Sequence, residues 1–196
     1  GHARAYRIIH AAQPHAMVGF AKNFRAMIPA RAWFPPDHWV NDFSFRNFNN
    51  SFADTLMSGR LKFAFWKDFI PEAIGTQDYI GVNYYTRDHV RFNALAAKNL
   101  FQERFFDPRA ELSENGFIAT EPVGFAEAIR WAQRYYVPIY ITENGVEDSQ
   151  DIMRPHYLIT HLFEMWKAMQ GGADVRGYMH WSQVDNFEWE RGWTQR

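Results

Sequence analysis

The sequence lacks cysteine entirely, which excludes a disulfide framework, a thiolate nucleophile and a sulfur metal ligand. It also lacks an excess of either charge, because 21 basic side chains are set against 22 acidic ones. Nucleic acid is therefore not an expected partner. No apolar run approaches the roughly 20 residues of a membrane-spanning helix, so no membrane partner is expected. Without cysteine or an apolar signal region at its start, the chain is predicted to be cytoplasmic.

The chain is rich in apolar and aromatic side chains. Hydrophobic residues make up 47% of its 196 residues and aromatic residues 18%. A sequence this apolar and this weakly charged is not intrinsically disordered. We find no low-complexity segment and no linker, and therefore predict a single domain over residues 1–196.

Helix-like and strand-like patterns alternate along the chain. Helical spacing of apolar residues predicts helices over residues 3–12, 45–57, 122–135 and 154–170, with Gly59 closing the second. Strands are predicted over residues 17–21, 78–85, 137–142 and 175–181. Residues 29–39, rich in Pro and Trp, are predicted to form a loop, and residues 93–116 an irregular insertion. This alternation favours an α/β fold with a parallel sheet and right-handed crossovers.

The carboxyl ends of three predicted strands carry unusual side chains. One strand ends in Asn83-Tyr84-Tyr85, the next runs into Glu143-Asn144-Gly145, and the last leads through Trp181 to Glu188 and Trp189. Ligands of α/β folds bind at these strand ends. Indole rings stack on the C–H faces of sugars, while carboxylates and amides hydrogen-bond hydroxyl groups. The combination indicates a carbohydrate site.

The same segments resemble glycoside hydrolase family 1, the β-glucosidase and β-galactosidase group. Ile141-Thr142-Glu143-Asn144-Gly145 is similar to the family's nucleophile motif. Residues 81–85 resemble its sixth-strand motif and residues 177–189 its eighth-strand motif. Three motifs in the right order are more specific than any one of them. The resemblance implies half of a (β/α)8 TIM barrel, about strands 5 to 8, as an open parallel sheet that needs a partner to close.

The resemblance also implies a role for each site residue. Glu143 would be the nucleophile of a retaining mechanism, and Tyr85 would donate a hydrogen bond that orients it. Asn83, Trp181, Glu188 and Trp189 would bind the sugar, with Trp181 as the platform under the ring. The family needs no metal or organic cofactor, so none is expected.

Other interpretations of these residues stay open. Glu143-Asn144-Gly145 can be a simple turn, Asn83 a turn-capping amide, and Tyr85, Trp181 and Trp189 core residues. His156 and His161 are five positions apart, which suits no helical metal site, so both are interpreted as packing or surface residues.

The family's general acid/base motif, Asn-Glu-Pro, does not occur. Thr120-Glu121-Pro122 is similar in sequence, but it lies at the start of the predicted helix before the nucleophile strand. We therefore interpret Glu121 as a helix N-terminal charge. A retaining glycosidase needs two carboxyl groups about 5 Å apart, and this sequence supplies an identifiable candidate for only one.

The open edges predicted at residues 17–21 and 175–181 favour pairing with another chain. The partner would be the missing N-terminal half or a second copy of this chain. In a two-fold dimer the two Glu143 side chains would lie on opposite walls, so efficient hydrolysis would not be expected. Three functions remain open: a β-glycosidase or fragment of one, acting on a small β-glycoside; a noncatalytic sugar-binding or self-assembling half-barrel; and an inactive folding unit. Sugar, linkage and aglycone are left undetermined.

Overall fold

Helices and strands alternate along the chain, as the sequence pattern predicts. The computed structural model describes residues 1–193, except for the side chain of residue 190. The helices are α1 (His2–Ala12), α2 (Pro35–Phe45), α3 (Ser51–Ser58), α4 (Pro122–Gln133) and α5 (Arg154–Gln170). The strands are β1 (Gly19–Pro29), β2 (Arg60–Phe63), β3 (Trp66–Phe69), β4 (Tyr79–Phe92), β5 (Gln102–Phe105), β6 (Ile139–Asn144) and β7 (Val175–His180).

A four-stranded parallel sheet organises the molecule. Its strand order is β1-β4-β6-β7, and each pair of neighbours is parallel. The predicted α/β fold with a parallel sheet is therefore confirmed. Within residues 1–193, β1 and β7 each pair on one side only, which agrees with the two predicted open edges. The short strand β5 pairs antiparallel with the far end of β4.

Alternate residues of the sheet face the helices. On β4, Ile80, Val82 and Tyr84 are completely buried and belong to the same core cluster as Phe125 and Ile129 of α4. The residues between them point to the opposite face. On this opposite face of β4, Asn83 and Tyr85 are half-buried.

The predicted loop over residues 29–39 is wrong in part. Helix α2 begins at Pro35, with Pro at its first two positions, where proline is tolerated because no intrahelical N–H bond is lost. A π-helical turn over Arg46–Asn50 joins α2 to α3. Gly59 then ends α3 with a left-handed φ of 73°, so the predicted glycine cap is confirmed.

Two β features lie outside the sequence prediction. The strands β2 and β3 form a two-stranded antiparallel hairpin, and β4 continues seven residues beyond Tyr85 to Phe92. The hairpin turns at Ala64, which has a positive φ of 49°. This position has none of the glycine or asparagine that normally marks such a turn. The insertion at residues 93–116 is largely irregular, as predicted, but contains β5.

Helix α5 has the predicted bounds but a different buried face. The predicted inward stripe was Leu158, Leu162, Met165, Trp166 and Met169. Met165 of this stripe does pack against the core, but Tyr157 and His161 are the buried residues of α5, and Trp166 is 53% exposed. The rings of Tyr157 and His161 stack with their centroids 3.8 Å apart. His161 also contacts the rings of Tyr84 and Phe125. An aromatic layer between α4 and α5 therefore sets the rotation of α5.

This burial predicts a pH-dependent stability. Burial lowers the pKa of His161 from 6.5 to about 4, so the folded state holds the ring neutral. The contribution of His161 to the free energy of unfolding is complete above pH 6.5, the pKa of the residue in the unfolded chain. It is lost as the pH falls from 6.5 towards 4, because in this range only the unfolded chain gains a proton. We expect the free energy of unfolding to fall by about 1.4 kcal/mol per pH unit in this window.

Urea titrations between pH 7.5 and 5 would measure this slope. His161→Gln should flatten the pH dependence relative to the unchanged chain. His15→Gln, at an exposed position between α1 and β1, should leave it as it was. Equal slopes in all three proteins would contradict the assignment to His161.

Candidate functional site

Strands β4 and β6 bring Tyr85 and Glu143 into direct contact. The predicted strand end at Tyr85 is wrong, because β4 continues to Phe92; Tyr85 lies two residues past Asn83, the last β4 residue that pairs with β6. The Tyr85 hydroxyl donates a hydrogen bond of 2.6 Å to Oε2 of Glu143. Burial first, and then the hydrogen bond and negative charge of Glu143, raise the pKa of Tyr85 far above its usual value. The phenol therefore stays protonated and available as a donor. The structure thus contains the hydrogen bond that the resemblance implied.

A shift in the register between β4 and β6 lies beside these side chains and affects the direction in which they point. Val82 pairs with Ile141, but the next residue, Asn83, pairs with Glu143, so Thr142 is passed over. Such a bulge changes which face of the sheet a side chain occupies, and bulges occur often beside active sites. Asn83 accepts a hydrogen bond of 2.5 Å from the Thr142 hydroxyl. Asn83 is therefore the register partner of Glu143, with its amide oxygen held by Thr142.

Trp181 reaches the same region from the end of β7. Its backbone N–H donates a hydrogen bond of 3.0 Å to the carbonyl of Asn144. The chain can approach this closely only because residue 145 is glycine: a Cβ there would overlap the carbonyl oxygen of Trp181. The Trp181 side chain is 42% exposed. An exposed indole beside the strand ends fits the predicted platform.

A cleft of about 330 Å³ opens beside these strand ends. Three of the predicted site residues, Tyr85, Trp181 and Glu188, line it. Glu143 does not line the cleft itself, but it is hydrogen-bonded to Tyr85, which does line it. Trp189 is 81% exposed and does not line this cleft. The structure therefore brings most of the predicted residues together and leaves Trp189 apart from them.

The cleft also has lining residues that the sequence prediction missed. They include Asn23, Arg25, Phe117, Glu147, Arg154 and Arg191. Asn23 and Arg25 lie on β1, which continues to Pro29 rather than ending near Ala21. In the sequence, Asn23 and Arg25 alternate with the apolar residues Phe24 and Ala26, which are buried in the structure. This strand-like alternation could have placed Asn23 and Arg25 on the opposite face of β1. The residues from the loops have no comparable sequence pattern.

Arginines of the cleft have local partners. Arg25 makes two hydrogen bonds, of 2.8 and 2.7 Å, to the buried carboxylate of Asp88. Arg191 lies over the ring of Phe117, 3.4 Å from its centroid. In the cleft, Arg25 is therefore paired with a carboxylate and Arg191 with an aromatic ring.

One cluster has the composition of a metal site. Within residues 1–193, His89, Asp107 and Glu121 place possible ligand atoms within 4.8 Å of one another. Both carboxylates already pair with arginine: Glu121 with Arg87 at 2.7 Å and Asp107 with Arg109 at 2.8 Å. These arginines compete with a cation. Glu121 lies at the N-cap position of α4, at the helix start where the sequence placed it.

None of the helices within residues 1–193 is both long and apolar enough to cross a bilayer.

Comparisons with known proteins identify similar sequences and folds. The sequence model described as "Glycosyl hydrolase family 1" matches residues 1–196. A β-galactosidase of Sulfolobus acidocaldarius is 30% identical, with 100% of this chain aligned to 40% of that protein. A β-galactosidase of Saccharolobus solfataricus is 34% identical over 74% of this chain and 31% of its own length. The chain therefore spans less than half the length of these relatives.

Solved structures agree with the sequence matches. A β-glycosidase from Pyrococcus horikoshii superposes with a TM-score of 0.88 at 35% identity, covering 100% of this chain and 44% of that one. A family 1 β-glucosidase from Thermotoga maritima gives a TM-score of 0.87 at 27% identity, covering 100% and 48%. The whole chain thus has the fold of part of each of these enzymes.

Proposed function

The chain belongs to glycosyl hydrolase family 1, and on that premise we propose that it carries the nucleophile half of a retaining β-glycosidase site. The predicted half of a TIM barrel is confirmed, since the fold aligns over its full length with larger barrel enzymes of this family. One observation carries the proposal most directly. Tyr85, in the middle of β4, and Glu143, near the carboxyl end of the neighbouring parallel strand β6, form a 2.6 Å hydrogen bond.

The proposed chemistry uses Glu143 as the nucleophile. Its carboxylate attacks the anomeric carbon of a β-glycoside, the bond to the leaving oxygen breaks, and a glycosyl-enzyme ester forms. Tyr85 keeps the attacking carboxylate in one orientation through its hydrogen bond. The acid/base group protonates the leaving oxygen. A water molecule then attacks the same carbon, gives its proton back to that group, and releases the sugar and the Glu143 carboxylate.

Sugar recognition is assigned to the neighbouring polar and aromatic groups. Trp181 offers its exposed indole as a platform, while Glu188 accepts hydrogen bonds from sugar hydroxyls within the cleft. Asn83 supplies an amide beside the nucleophile. Trp189 is proposed to offer its indole N–H to a further hydroxyl, although this ring lies outside the cleft lining. The names of the relatives, β-galactosidases and β-glucosidases, favour a small gluco- or galactoside.

The general acid/base is proposed to come from outside this chain. No Asn-Glu-Pro motif occurs in the sequence, and the carboxylate of Glu121 is engaged by Arg87. The missing N-terminal half of the barrel would supply the second carboxyl group, or a second copy of this chain would close the sheet without supplying it. The edge of β7 supports such a partner, because within residues 1–193 this strand pairs on one side only. Met179 on the same strand is 51% exposed. Cytoplasmic localisation stays a prediction.

A second candidate is a noncatalytic carbohydrate-binding or self-assembling half-barrel. The observation that favours it is the cleft itself, which combines the exposed indole of Trp181 with Glu188, while the sequence contains no Asn-Glu-Pro motif. In that case the chain would bind a sugar without forming a covalent bond to it.

Covalent trapping tests the proposed nucleophile. The reagent is 2,4-dinitrophenyl 2-deoxy-2-fluoro-β-D-glucoside, whose phenolate leaves without protonation, so the missing acid is not required. Fluorine at C2 destabilises the oxocarbenium-like transition state of the second step. We expect one fluoroglucosyl group per chain by intact mass spectrometry, on the peptide that contains Glu143.

The alternative outcomes are distinct. An unlabelled chain that still binds a glucose-type inhibitor by calorimetry would contradict the nucleophile proposal and support the binding module. A label on a residue other than Glu143 would contradict the assignment of the nucleophile. A chain that is not labelled and also does not bind the inhibitor would be an inactive folding unit.

A further inference from the structure

We propose that Tyr157 of α5 is a positioning residue, which fixes the contact between Tyr85 and Glu143 through Asn144. The inference deepens the proposed function and rests on it, because it concerns the orientation of the same nucleophile. Tyr157 lies 14 positions beyond Glu143 on the following helix, outside the strand-end motifs.

Asn144 joins three elements directly behind the nucleophile. It follows Glu143 in the chain and is completely buried. Its Nδ2 donates hydrogen bonds to the carbonyl of Tyr84, at 2.8 Å, and to the hydroxyl of Tyr157, at 3.1 Å. Its Oδ1 accepts a hydrogen bond of 2.9 Å from the hydroxyl of Tyr178. The side chain thus links β4, β7 and α5 to the end of β6.

Tyr157 also connects this hydrogen-bond network to Tyr85, the residue that contacts Glu143. Its hydroxyl donates a hydrogen bond of 2.8 Å to the backbone carbonyl of Tyr85, while it accepts the bond from Asn144. Burial holds the pKa of the Tyr157 phenol well above its usual value, which keeps the donated proton in place. One hydroxyl therefore contacts the backbone that carries Tyr85 and the residue next to Glu143.

The strand pairing explains why such a brace is needed. The β4–β6 register shifts between Val82 and Asn83, and the β6–β7 register shifts between Ile141 and Asn144. Regular ladder hydrogen bonds are interrupted on both sides of the nucleophile. The side-chain bonds of Asn144 and Tyr157 replace them where the backbone would otherwise be free to move. A misplacement near 1 Å is enough to cost a large factor in rate.

Packing alone would not require the hydroxyl group. The ring of Tyr157 is completely buried and stacks on His161, and phenylalanine would fill the same space. Tyr157→Phe therefore removes the brace with little change in volume. Tyr135→Phe is the matched control, since Tyr135 is also a buried tyrosine, and its hydroxyl donates a 2.8 Å hydrogen bond to Asp54, away from the site.

The first readout does not depend on activity. The hydroxyl proton of Tyr85, bonded to Glu143, is observed by NMR as a downfield resonance and assigned by its loss in Tyr85→Phe. We expect this resonance to shift or broaden in Tyr157→Phe and to stay in place in Tyr135→Phe. If Tyr157→Phe fails to fold, Tyr178→Phe tests the same network from β7 and should perturb the same resonance. An unchanged resonance in the folded variants, or none in the parent chain, would overturn the proposal.

The second readout is covalent labelling by the fluoroglucoside, analysed as a rate constant and a binding constant. We expect Tyr157→Phe to lower the maximal labelling rate about tenfold and to leave the binding constant within about twofold. Equal rates in Tyr157→Phe and the parent would contradict the positioning role. If the parent is not labelled but the Tyr85 resonance responds as expected, the proposed function fails while the positioning inference stands.

Discussion

Replacing Glu143 with glutamine is expected to abolish covalent labelling by the activated fluoroglucoside. The amide is isosteric with the carboxylate but carries no negative charge, so it cannot form the ester with the anomeric carbon. Loss of a nucleophile lowers rates by very large factors, and we expect a decrease of at least about a thousandfold. The amide oxygen can still accept the hydrogen bond of Tyr85, so the fold should be retained.

Intact mass spectrometry over a time course measures this loss. Glu164→Gln is the control, since Glu164 lies on α5 and pairs with Lys167 at 2.5 Å, apart from the strand ends. It should be labelled at the rate of the parent chain. Undiminished labelling of Glu143→Gln would show that another group attacks the sugar.

Replacing Gly145 with alanine is expected to be strongly destabilising. Gly145 is buried, and a Cβ at this position would overlap the backbone carbonyl oxygen of Trp181. Backbone cannot move aside as a flexible side chain can, so β6 and β7 must separate locally. We expect a loss of at least about 3 kcal/mol in the free energy of unfolding, the range of severe steric substitutions. The Trp181 N–H bond to Asn144 should be lost with it.

Urea denaturation and the labelling rate together test this expectation. Gly171→Ala is the matched control. Gly171 follows α5 with an ordinary φ of −81°, and a Cβ there would come no closer than 3.3 Å to another atom. Its effect should stay within about 1 kcal/mol. A similarly small effect of Gly145→Ala would contradict the close approach of the two strand ends.

Much of the framework could be predicted because its signals are local. Helix α5 has the predicted bounds, Arg154–Gln170, because apolar residues recur at helical spacing and Gly171 follows. The glycine cap at Gly59 follows from the same logic, since only glycine adopts a left-handed φ at no steric cost. Three of the four parallel strands, β4, β6 and β7, carry motifs that the sequence already displays.

Other parts of the fold depend on non-local contacts and could not be predicted. The hairpin β2–β3 has no glycine or asparagine at its turn, and the residues of β3 are all exposed, so no burial pattern marks it. The buried face of α5 is set by contacts of the His161 ring with the rings of Tyr84 and Phe125, both of which lie far from α5 in the sequence. Helical spacing alone cannot distinguish this aromatic face from the neighbouring aliphatic stripe.

The sequence by itself determined the family, the order of the four parallel strands along the chain, and the identity of the proposed nucleophile. Short motifs and local spacing carry this information in consecutive residues. Only the tertiary structure decided that the Tyr85 hydroxyl lies 2.6 Å from Glu143, across 58 positions of sequence. It likewise decided that Tyr157 supports this pair from a helix. The contact between Tyr85 and Glu143 lies beside a register shift between β4 and β6, and register is set by pairing with distant segments rather than by local spacing.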